Sequence, residues 1–189
     1  RDWIMAHEMV HLAFPSVFQK HNWMEEGLAT YVEPIARTRT GELSPEKVWG
    51  DMVAGMPQGL PEAGDRGLDF TPTWGRTYWG GALFCLLADV EIRKRTGNKL
   101  GLEHALRAIM KERKTSGRDL AQVFAIGDRA VGVPVLQELY EKMKAAPAPV
   151  DLDQLWKELG VIRDGRGVTF DDNAPLAPLR KAITLSDPS

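Results

Sequence analysis

WIMAHEMVHLAF, residues 3–14, is apolar nearly all the way round when set on a helix at about 100° per residue. Met5, Met9 and Leu12 form one stripe, and Trp3, Ile4 and Val10 fall well off it. That distribution predicts a buried helix ended by Pro15, and so a mainly α fold. Yet the stretch carries His7, Glu8 and His11. Burying such groups costs several kcal/mol unless each is paired or bound. His7 and His11, at i and i+4, share a face about 6 Å apart, and Glu8 lies about 100° round from His7. This is the pattern His-Glu-x-x-His. Two imidazoles one turn apart can hold one metal, and the neighbouring carboxylate can reach a water on that metal without ligating it. The competing reading is two core histidines and a surface glutamate.

A catalytic zinc site needs a third protein ligand and an open position. The lone cysteine, Cys85, is far away in sequence and excludes a cysteine-rich site and a disulfide framework. The next helical stretch, WMEEGLATYVE at 23–33, offers carboxylates. Asn22 reads as its N-cap, with Glu25 three residues later as in a capping box, and Pro34 reads as its end. Glu26 can then point elsewhere, and Gly27 beside it would let this helix and the one carrying His7 and His11 approach closely. Glu33, seven residues after Glu26, shares its face and could orient a metal-bound histidine. By spacing alone these glutamates read equally as a solvated face.

The rest of the chain frames this region. Its 189 residues are 43% hydrophobic and 26% charged, as in a globular protein. A net charge of −2 gives no footprint for nucleic acid. No run reaches the roughly 18 apolar residues of a membrane span. Ser44 and Pro45 open a helix in SPEKVWGDMVAGM. Residues 57–75, with Pro57, Pro61 and Pro72, read as a long loop, the kind that is often functional. Further helices are expected in RTYWGGALFCLLADVEIRKRTG (the longest), LEHALRAIMKERK, DLAQVFAIGDRAV, VPVLQELYEKMKAA and DLDQLWKELGV, and a strand in GVTFDD. APAPV at 146–150 reads as a linker, dividing a helical lobe at 1–145 from a small helix and strand appendage at 146–189. Arg1 and Asp2 run straight into the apolar helix, so the sequence reads as a piece of a longer protein whose address label is not visible.

HEMVH followed by WMEEGLATYVE resembles the gluzincin metallopeptidases, nearest to their aminopeptidase N-like and glycyl aminopeptidase-like groups. TYWGGALFCLLADVEIRKRTG and LGLEHALRAIM resemble their following helices, so the likeness spans about residues 3–140. It implies a thermolysin-like helical catalytic lobe holding one Zn2+ on His7, His11 and Glu26. Glu8 would be the general base, Tyr78 would stabilise the oxyanion, and Glu33 would support the ligands. The implied substrate is a peptide or protein, and the implied partner is an upstream β lobe that this chain lacks.

The gap of 14 residues between His11 and Glu26 is shorter than in the aminopeptidase N-like group, and Gly80 stands where a lysine is common. Without the resemblance, Tyr78 at a helix start reads as a packing residue. The rival readings are a catalytically lapsed relative and a structural metal module, although a structural site usually has four protein ligands. His21 and His104 read as surface histidines, Cys85 as a buried thiol, the basic residues 93–95 as a helix C-terminus, and Asp128 with Arg129 as a local ion pair.

Overall fold

Each helix that the sequence marks between residues 22 and 159 is present in the computed structural model of the protein, which describes residues 18–112 and 119–185. The helix expected at 2–14, with His7, Glu8 and His11, lies outside the described residues.

The described chain enters through a 3-10 turn, Gln19–His21, and passes directly into α1, Asn22–Arg39. Asn22 is itself helical, at φ −54° and ψ −28°, so it does not cap the helix as its sequence context predicted. The turn replaces the cap. Its Phe18 and Gln19 carbonyls accept from the backbone N–H groups of His21 and Asn22, donors that would otherwise need a side chain. Pro34 does not end α1 either. It lacks the N–H of a helix interior, yet five more residues follow it in the helix. Ile35 and Thr38 are buried beyond it, and Arg39 donates to the Ile183 carbonyl at 3.0 Å, so tertiary contacts hold the extension.

Ser44 caps α2, Pro45–Gly55, by accepting from the Lys47 N–H at 3.2 Å. A second 3-10 turn, Met56–Gly59, opens the long loop. The loop ends in a π-helical turn, Arg76–Gly80, that runs without a break into α3, Gly81–Arg95. Then come α4, Leu102–Lys111; α5, Leu120–Val131; α6, Val135–Met143; and α7, Leu152–Leu159. Asp128 is buried and accepts from the Leu136 and Gln137 N–H groups at 2.9 and 3.0 Å. It therefore caps α6, where the sequence suggested a pair with Arg129; the unbonded N–H groups of a helix start are the nearer partner.

β1, Val161–Asp164, and β2, Gly167–Phe170, form an antiparallel hairpin with Val161 opposite Phe170. The last element is α8, Ala177–Thr184. The fold is mainly α, and the hairpin is the single sheet among the described residues.

α3 sits at the centre and is buried on nearly every side, from Gly81 to Arg93. Phe84 stacks on Phe124 of α5 at 5.4 Å and meets Trp23 of α1 edge-on at 5.2 Å. The residues beyond the APAPV stretch join the same apolar cluster through Trp156, Leu159 and Ile183, and Trp156 meets Trp49 edge-on at 6.4 Å. Buried Asp89 ties three helices together. It accepts from the Tyr31 hydroxyl at 2.9 Å, Arg93 Nε at 2.9 Å and the Leu102 N–H at 3.0 Å. Among the described residues no helix is long and apolar enough to cross a membrane.

Candidate active site

Two glycines decide where α1 meets α3. A Cβ on Gly27 would stand 2.3 Å from the Gly81 backbone, and a Cβ on Gly81 would stand 2.0 Å from the Trp23 carbonyl oxygen. Only bare backbone fits there, so the helices touch main chain to main chain. The helix expected against Gly27, the one at 2–14, lies outside the described residues; the described helix that packs there is α3.

That contact sets the neighbouring side chains. Glu26 precedes Gly27, and Tyr78 stands three residues before Gly81. Residues 52 positions apart are thereby brought near each other, close enough for the Glu26 carboxylate to act on the Tyr78 phenol. Burial first, then the charge and hydrogen bond of Glu26, push the Tyr78 phenol above its ordinary value. Tyr78 lies within the π-helical turn, a rare geometry that recurs at functional sites. A Cβ on Gly59 would sit 2.3 Å from the Trp79 carbonyl carbon, so the turn is pressed onto the Met56–Gly59 segment. Trp74, one turn earlier, stacks on Tyr78 at 5.6 Å and 29° and is 61% exposed.

Glu33 lies two turns along α1 from Glu26 and accepts from Arg37 Nη1 at 3.1 Å. It lines a cleft of about 460 Å³ with Arg37, Gly55 and Trp79. His7, Glu8 and His11 lie outside the described residues. Among the described residues, no three His, Cys, Asp or Glu side chains stand together as a metal site. Of the sequence-derived ligands, then, the structure places Glu26. Its half-buried carboxylate beside a phenol offers oxygen to a cation, and two imidazoles with one carboxylate are a donor set that suits zinc. Comparisons with protein-family models, with curated proteins and with solved structures find no match for this chain.

His21 departs from the sequence reading. It is fully buried, not on the surface. Its Nδ1 faces Asp69 Oδ1 at 2.9 Å and its Nε2 faces Asp119 Oδ1 at 3.2 Å. Asp69 also accepts from Trp23 Nε1 and the Tyr140 hydroxyl, both at 2.8 Å. The long loop is thus pinned to the start of α1, five residues before Glu26. A histidine flanked by lysine and asparagine carries no burial signal, and a single aspartate in a loop has no periodicity, so neither was legible. His104 accepts from the Gly101 N–H at 3.1 Å and caps α4. Cys85 is buried as expected, and burial followed by the charge of Asp89 pushes its thiol far up.

Proposed function

We propose that the protein is a zinc-dependent metallopeptidase. The observation that carries the reading is the approach of Glu26 to Tyr78 across the Gly27–Gly81 contact. The resemblance names those two residues independently, one as a ligand and one as the oxyanion donor. His7, His11 and Glu26 would hold one Zn2+. Bound there, zinc would lower the pKa of a water toward about 7 and polarise the scissile carbonyl.

The protein's own groups supply the proton chemistry. Glu8 takes the proton of the attacking water and passes it to the leaving amine. The Tyr78 hydroxyl, an O–H donor at neutral pH, turns its hydrogen bond toward the oxyanion as that charge develops. The buried His21–Asp69 link and the glycine contact hold α1 in register, so Glu26 is positioned by rigid elements.

The deciding experiment pairs zinc analysis with hydrolysis of a mixed peptide pool, for the wild type and Glu8→Gln. The expected outcome is one zinc per chain in both proteins and turnover in the wild type alone. Undiminished hydrolysis by Glu8→Gln would overturn the assignment.

A further inference from the structure

We infer that Trp74 and Glu62 form the subsite for a basic side chain, arginine or lysine, of the substrate residue next to the scissile bond. The inference rests on the peptidase reading and extends it to substrate class.

Three observations lead here. The first is the state of the indole. Tyr78 covers one face of Trp74, yet the residue stays 61% exposed at the end of the long loop. One exposed ring is ordinary by itself; here the indole also borders a cleft, so its free face is open to a ligand. A side chain laid on the free face of Trp74 has only the indole between it and the Tyr78 ring.

The second is the cleft that Trp74 lines. It measures about 340 Å³ and is walled also by Gln58, Leu60, Glu62, Thr71 and Thr73. The third is its charge. Arg76 and Asp65 also border it, but they pair with each other at 2.7 Å, both nearly buried. Arg76 further donates to the Gly59 carbonyl. Their charges cancel, which leaves the exposed carboxylate of Glu62 as the uncompensated charge. A tryptophan face with a carboxylate beside it suits a guanidinium or ammonium, which can stack and pair at once. An acidic side chain would meet like charge, and a neutral ring would leave Glu62 unused.

The test reads binding directly, without turnover. N-acetyl-arginine amide, N-acetyl-phenylalanine amide and N-acetyl-aspartate amide are titrated into the 15N-labelled protein, with and without one equivalent of zinc. The indole signal of Trp74 is assigned by its loss in Trp74→Phe. The arginine probe should shift that signal to saturation, and Glu62→Gln should weaken it about fivefold at low salt. Trp74→Ala, an exposed position, should abolish arginine binding and leave the thermal unfolding unchanged. An equal shift from the phenylalanine probe, or no effect of Glu62→Gln, overturns the inference. If arginine binds as described while the peptide pool is not cleaved, the peptidase reading fails and the basic subsite stands. If the pool is cleaved without preference for basic residues, the reverse holds.

Discussion

Tyr78 is where the two readings of a single residue separate most cleanly. As a packing tyrosine, its ring matters and its hydroxyl does not. As the oxyanion donor, the hydroxyl matters most in the transition state. Tyr78→Phe keeps the ring stacked on Trp74 and removes only the hydroxyl beside the partly exposed Glu26 carboxylate, so stability should change little. Turnover is expected to fall by about 10²- to 10³-fold with KM nearly unchanged. Steady-state kinetics beside a thermal melt checks this, and an unchanged kcat would return Tyr78 to the core. His7, Glu8 and His11 stand out in the sequence by their spacing but lie outside the described residues, and Glu26 was singled out by the resemblance, because its spacing reads equally as a solvated face. Trp74 and Asp69 were not, because their partners are brought in by a loop whose path no local pattern describes.

Between elements, the backbone contact of α1 with α3 governs the placement of Glu26. Gly27→Ala puts a methyl carbon 2.3 Å from the Gly81 main chain, where no side chain can move aside. The helices must part, at a cost of about 3 kcal/mol, or about 9 °C in Tm. Gly50→Ala is the control. It lies within α2 with nothing near its Cβ, so it should raise stability by about 0.5–1 kcal/mol. Urea unfolding of both variants should give opposite signs; the same sign in both would sink the packing argument. Helix positions were readable from apolar periodicity, and Ser44 with Pro45 gave one start correctly. The ends of α1 were not, since a 3-10 turn and the bond from Arg39 to Ile183 override Asn22 and Pro34. β1 escaped notice because Val161 alone of its four residues is buried.

Across the whole molecule, Asp69 joins segments 48 and 71 residues away, through His21 and Tyr140. The sequence predicted a helical lobe and a long loop; the structure adds the polar bracket that closes one onto the other. Burial alone would push the Asp69 carboxyl up. Hydrogen bonds from His21, Trp23 and Tyr140, with the charge of His21, outweigh burial and hold it below the usual carboxylate range. A carboxyl depressed in the folded state contributes stability above its unfolded value, about 3.9, and loses that contribution as pH falls through the folded value. Asp69→Asn keeps the shape, removes the charge and turns one acceptor into a donor facing other donors. It should cost about 2–3 kcal/mol at pH 7. The gap to the wild type should narrow below about pH 4, where the Asp69 carboxyl of the unfolded chain takes up its proton before the folded one does. Urea midpoints of both proteins at pH 7, 5 and 3 measure the gap. A difference that stays constant down to pH 3 would mean that the bracket acts through shape and not through charge.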